Sequence, residues 1–263
     1  MSIIDTHIHL DNEAYASDVD KVIQTALSEG VKAFLIPGAD PQDLPKAQEL
    51  SKKYNEVFFA AGVHPYDCEN FDIEFLEKYA SDPKCIAIGE CGLDYYRLPE
   101  NEDEKHLNKE LQKSVFTAQI QLAKKLQKPL IVHIRDASND SKKLLLDNDA
   151  SKVGGVLHCY NASEYLLDLA QKDFYFGIGG VVTFKNAKKL VEVLPKIPKE
   201  KLLIETDGPY LTPHPFRGTR NEPKYTNLVA EKMAEILNLS VDEVKNLTTK
   251  NALNLFKEFK NIV

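Results

Sequence analysis

Eight short apolar runs recur along the chain: Ile3–Ile8, Lys32–Pro37, Val57–Val63, Cys85–Gly89, Pro129–Ile134, Val153–Leu157, Phe174–Ile178 and Lys201–Ile204. Amphipathic stretches lie between them, including Val19–Glu29, Asp72–Tyr79, Leu107–Leu126, Glu164–Gln171 and Ala187–Leu194. Strands alternating with helices predict a parallel sheet. Eight such units in 263 residues match the size of a (β/α)8 TIM barrel. A doubly wound open sheet is the competing arrangement, but no GxGxxG follows the first run. Beyond the eighth run the pattern predicts a long loop and helices near Tyr225–Leu237, Val241–Lys245 and Asn251–Phe259. No repeat, linker or low-complexity segment interrupts it, so residues 1–263 read as a single domain.

The polar residues that follow these runs change the picture from fold to chemistry. The first run ends in IIDTHIHLD, with His7 and His9 two residues apart. On a strand such a pair shares one face and can hold one ion, or can simply be two hydrogen-bonded histidines. Later runs end in GVHP (His64), AIGECGLD (Glu90, Asp94), IVHIRD (His133, Arg135, Asp136), VLHCY (His158) and LLIETDGPYL (Glu205, Asp207). Five of the seven histidines thus fall at the C-terminal ends of expected strands, the end where a barrel builds its active site. A lone histidine there is more often a satisfied polar residue than a ligand. Several imidazoles and carboxylates gathered together are costly to bury unless paired or bound to metal. His106 is expected on a helix surface and His214 in a rigid loop between prolines.

Composition narrows the partners. The net charge is −7, so any nucleic acid must meet a local basic patch. Cys68, Cys85, Cys91 and Cys159 show no CxxC spacing, which disfavours zinc-finger chemistry. No leader-like segment and no apolar run near membrane-spanning length stands out, so a reduced, cytoplasmic protein without membrane contact is expected, most simply a monomer. Only four of the 33 basic residues are arginine, and Arg97, Arg135, Arg217 and Arg220 all fall in expected mouth-side loops. Arginine suits bidentate phosphate contact, although Arg217 and Arg220 could equally tie loops together by salt bridges. Tyr66, Tyr95, Tyr96, Tyr160, Tyr210 and Phe216 gather in the same region, where some could stack on unpaired bases.

The segments DTHIHLD, GVHP, AIGECGLDYYR, VHIRDA, LHCY and ETDGPYLTPHPFRGTRNEP resemble the TatD family of metal-dependent deoxyribonucleases, within the amidohydrolase superfamily of (β/α)8 barrels. The resemblance runs from residue 3 to about residue 223. It implies a site for two divalent ions (Mg²⁺, Mn²⁺ or Zn²⁺), with His7, His9 and Asp207 on one, His133 and His158 on the other and Glu90 between them. Asp207 would also act as general base. His64, Arg97, Arg135 and Tyr160 are expected to face the substrate. The implied substrate is DNA, cleaved from the 3′ end of single strands by activated water. A small ester, an amide or an aminoacyl-tRNA ester is the alternative within the same superfamily. HCYNAS departs from the family pattern, which is closer to HCFSG, and this bears on substrate preference at Tyr160, Asn161 and Ala162. GxSxG is absent, so nothing in the chain suggests a serine hydrolase.

Overall fold

A computed structural model describes residues 2–263. Eight strands carry the core: β1 (Ile3–Asp5), β2 (Val31–Ile36), β3 (Val57–Ala61), β4 (Cys85–Asp94), β5 (Leu130–Arg135), β6 (Gly155–Leu157), β7 (Phe174–Ile178) and β8 (Leu202–Ile204). They pair in parallel in chain order. The amide of Thr6 donates to the Ile204 carbonyl at 3.2 Å, and that of Asp207 to the His7 carbonyl at 2.9 Å, so the last strand returns to the first. The result is the (β/α)8 barrel that the pattern predicts.

The helices are α1 (Val19–Ser28), α2 (Leu44–Lys53), α3 (Ile73–Ala80), α4 (Glu102–Leu126), α5 (Ser138–Asp147), α6 (Lys188–Val193), α7 (Thr226–Leu237) and α8 (Val241–Leu255). None of the described residues forms a helix long and apolar enough to cross a membrane. Three expectations are corrected. The stretch at Glu164–Gln171 forms 3₁₀ turns over Glu164–Lys172. The fourth strand runs on to Asp94, past the expected end at Gly89. The helix expected at Val241–Lys245 runs on to Leu255 as α8, and the one expected over Asn251–Phe259 divides between the end of α8 and a 3₁₀ turn over Lys257–Asn261, with buried, bonded polar residues in between. Asn251 donates to the carbonyls of Lys199 and Leu202, and Thr249 to that of Ser2.

Two apolar layers result. One packs the helices on the outside of the strands. The other is built from alternate strand residues such as Ile4, Leu35, Phe58, Ile86, Ile131, Val156 and Leu203, closed by Phe256 and Phe259. Counting on by twos from this second layer leads from Ile131 to His133 and Arg135, from Val156 to His158 and from Leu203 to Glu205, whereas Glu90 sits in an irregularity of β4 between Ile88 and Cys91, and His64 and Asp207 lie beyond the ends of β3 and β8. The side-chain period of the strands therefore turns an apolar floor into a polar mouth.

Candidate metal centre at the barrel mouth

β1 ends at Asp5, before either histidine of the HxH. The pair still meets, with ring centroids 5.2 Å apart, because Ile8 bridges to Gly208 and holds the segment against the chain that follows β8. Asp207 comes from that chain. Its Oδ1 lies 3.5 Å from His9 Nε2 and 3.7 Å from His7 Nε2. Glu90 rises from β4 into the centre: Oε2 is 3.3 Å from His7 Nε2, and Oε1 is 2.8 Å from His133 Nδ1 and 3.5 Å from His158 Nε2. The ring of His7 stacks on that of His158 with centroids 3.5 Å apart.

The donors form groups in which one atom from each residue lies within 4.8 Å of the others, among them His7–His9–Asp207 and Glu90–His133–His158. Whether these residues suit a cation is tested by His7. It is fully buried, and neither ring nitrogen makes a hydrogen bond, the nearest carboxylate oxygen being Glu90 Oε2 at 3.3 Å from Nε2. A fully buried imidazole with both nitrogens unpaired is costly. Imidazole with carboxylate is a donor set suited to Zn²⁺, Mn²⁺ or Fe²⁺. The residues fit a divalent ion.

Charge is focused here. Burial opposes ionisation of Glu90, but His158, His133 and His7 outweigh it and hold the carboxyl well below its usual range. Burial likewise opposes charge on Asp207, and His9, His158 and His7 overcome it. Burial also works against a charge on His158, yet Glu90 and Glu205 lift it to about 10. His64 is different. Burial lowers it to about 4, so it is neutral at pH 7. Its Nδ1 accepts from the Tyr66 amide at 3.1 Å, which leaves the proton on Nε2, facing Glu90 Oε1 at 3.7 Å.

Two further carboxylates, whose roles the sequence pattern left open, hold the histidines from behind. His133 Nε2 lies 3.0 Å from Asp94 Oδ2, and His158 Nδ1 lies 3.1 Å from Glu205 Oε1. A carboxylate on the far nitrogen fixes tautomer and ring direction, so that His133 presents Nδ1 and His158 presents Nε2 toward Glu90. Gly177 makes this possible for Glu205: a Cβ there would collide with the carboxylate. The signal was available, since Asp94 and Glu205 stand at the ends of β4 and β8, but sequence does not separate a ligand from its support.

The four arginines divide into two classes. Arg220 bridges Asp18 and Glu222, and Arg217 donates to the Thr212 carbonyl and lies over Phe184. These two tie loops together. Arg97 and Arg135 make no side-chain hydrogen bond or ion pair among the described residues, and both line the cleft of about 450 Å³ that holds His9, His64, Glu90, His133, His158 and Asp207. Tyr160 does not reach that cleft, a correction to the expectation that it faces substrate. Its ring is buried against Phe176 and its hydroxyl donates to the Ser163 carbonyl. The neighbouring Asn161 also serves the loop, donating to the Ile134 carbonyl and accepting from the Ser163 amide.

Comparison with known proteins identifies the family. Residues 4–257 match the family described as TatD related DNase. A Bacillus subtilis protein described as an uncharacterized metal-dependent hydrolase, YabD, is 41% identical over 97% of this chain and 99% of its own length. The Salmonella typhimurium protein described as 3′-5′ ssDNA/RNA exonuclease TatD is 34% identical over 97% of this chain and 99% of its own. Among solved structures, the TatD homologue YJJV from Escherichia coli superposes with a TM-score of 0.88 at 28% identity, covering 97% of this chain and 98% of that one. A hydrolase TatD family protein from Entamoeba histolytica gives 0.86 at 25% identity, over 97% and 98%. The buried His–carboxylate cluster therefore sits in a chain that belongs to the TatD family of metal-dependent hydrolases.

Proposed function

We propose that this enzyme is a deoxyribonuclease that removes nucleotides from the 3′ end of single strands. The observation that carries the reading is a shared cleft: the His–carboxylate cluster opens into the same space as two arginines that have no carboxylate partner. A small carbonyl substrate without a phosphate needs the first but not the second. The Salmonella relative, described as an exonuclease on single strands, supports the same class.

In this reading His7, His9 and Asp207 hold one divalent ion, His133 and His158 a second, and Glu90 lies between them. The mixed imidazole and carboxylate donors accept Mn²⁺ or Zn²⁺, and the family resemblance adds Mg²⁺. Bound there, such ions supply positive charge to the phosphate oxygens and lower the pKa of water toward neutrality. The protein supplies the rest. Asp207, ionised and with its side chain 15% exposed, accepts the proton of the attacking water as general base. His64, neutral with its proton on Nε2, donates a hydrogen bond to a non-bridging phosphate oxygen. Arg97 and Arg135 draw the phosphodiester backbone into an otherwise acidic molecule.

The test is digestion of a 5′-labelled single-stranded oligonucleotide in EDTA, Mg²⁺ or Mn²⁺, beside Glu90→Ala. The expected result is a metal-dependent ladder shortening from the 3′ end and absent in the variant. An intact oligonucleotide in every lane would move the assignment to carbonyl esters, aminoacyl-tRNA among them.

A further inference from the structure

Arg97 and Arg135 stand in a tier of their own. In the β4–β5 register Gly92 pairs with His133 and Asp94 with Arg135. Arg135 therefore leaves its strand two residues beyond the ligand tier, about 7 Å further out of the barrel. Arg97 follows three residues after β4 ends at Asp94. Each guanidinium is paired with a tyrosine face. Arg135 lies 3.6 Å from the centre of the Tyr96 ring, and Arg97 lies 5.4 Å from that of Tyr66. These rings are 58% and 41% exposed, large apolar faces left open beside the cleft.

The arrangement is not a salt-bridge network. Arg220 has two carboxylates within 2.9 Å; Arg97 and Arg135 have none within ion-pair distance among the described residues. In a chain of net charge −7 their freedom is a choice of position, and a free guanidinium fork matches a phosphate. The tier spacing separates that phosphate from the one over Glu90. The stacked tyrosines add a sequence-tolerant surface for unpaired bases.

We infer that Arg97 and Arg135 form a second phosphate subsite, which binds the phosphodiester next to the scissile one, with Tyr66 and Tyr96 beside it to take unpaired bases. This rests on the nuclease reading and narrows it. The substrate is a strand carrying two consecutive phosphates, and digestion stalls when a dinucleotide with a single internal phosphate is left.

The experiment compares three substrates with the same 3′ step under Mn²⁺: a dinucleoside monophosphate, the same dinucleotide bearing a 5′-phosphate, and the trinucleotide. The expected kcat/KM of the second and third exceeds that of the first by more than about tenfold. Arg97→Gln and Arg135→Gln are each expected to bring that ratio toward one. An equilibrium arm in EDTA, with a fluorescent dinucleotide with and without the 5′-phosphate, should show the same ratio in affinity and the same loss in the variants. Equal cleavage of all three substrates by the unaltered enzyme would sink the subsite and leave the nuclease standing. A ratio that persists in both variants would assign the second phosphate to other residues. Failure to cleave any of them, or a longer strand, would remove both readings.

Discussion

The two ends of the barrel each have a hollow, and the difference between them shows what marks a site. The mouth holds a cleft of about 450 Å³; the opposite end has one of about 350 Å³ beside Gln127, Lys152, Asp173 and Glu258. Volume does not separate them. Pairing does. At the far end Asp173 is bridged by Lys201 and Lys152 by Asp149. At the mouth both ring nitrogens of His7 and one oxygen of Glu205 are buried without partners. A molecule folding for stability alone would not gather such groups, because each unpaired buried polar atom costs on the order of 1–3 kcal/mol. The far end holds the fold together. The mouth draws on that stability to keep donors aimed at something else.

The largest effects should separate these roles. Phe176, fully buried on β7, packs the apolar layer. Phe176→Ala should cost about 3–5 kcal/mol, or about 10 °C in thermal midpoint, while the molecules still folded turn over normally. Glu90→Gln should do the reverse, abolishing metal-dependent turnover with the midpoint shifted by no more than a few degrees. Scanning calorimetry beside the oligonucleotide assay reads both. A collapse of stability in Glu90→Gln would mean that the mouth supports the fold as strongly as the core does.

The same division explains what the sequence revealed. Strand ends were legible because apolar runs give way to His64, Glu90, His133, His158 and Asp207; the two-residue period puts His133 and His158 on the inner face but does not place Glu90, in the irregular part of β4, or His64 and Asp207, past the ends of their strands. Arg97 and Arg135 were legible as candidates only because arginine is scarce here. Which arginines are free was only partly legible: Glu222 stands two residues from Arg220, but Asp18 reaches it only through folding. α2 and α5 give weaker amphipathic signals because their apolar buried faces are thin: Leu44, Ala47 and Leu50 in one, Leu145 in the other. Tyr160 misled because a hydroxyl reads as substrate-facing until Ser163 is seen to accept it. Asp94 and Glu205 have the composition of ligands and the position of supports.

That last ambiguity gives a prediction of intermediate size. Glu205→Gln keeps the shape but weakens the hold on His158, and Gly177→Ala pushes the same carboxylate aside from the opposite wall. Each is expected to lower affinity for Mn²⁺ by about 10–100-fold, measured by calorimetric titration. If both variants bind the ion as tightly as the unaltered protein, His158 is aimed by its stacking on His7 rather than by Glu205.

The smallest effect tests whether backbone strain follows the same geography. Among the described residues nine other than glycine have positive φ, two of them, Asp149 and Asp173, toward the far end. Gln127 and Asn238 are simple helix ends, closing α4 and α7. Asp136, Cys159, Ala162 and Asp207 lie at the mouth, beside or among the expected ligands and arginines, where such conformations are commonly kept for function. Glycine relieves about 1–2 kcal/mol of crowding at such a position and returns roughly half of it in chain entropy. Gln127→Gly and Ala162→Gly should therefore each raise stability by about 0.5–1 kcal/mol. Only the second should slow turnover, by a few-fold, because the loop that runs from His158 through Asn161 to Ser163 loses its single conformation. Full turnover in both variants would make the strain at the mouth a by-product of tight loops, leaving unpaired polar atoms as the one feature that sets this end of the barrel apart.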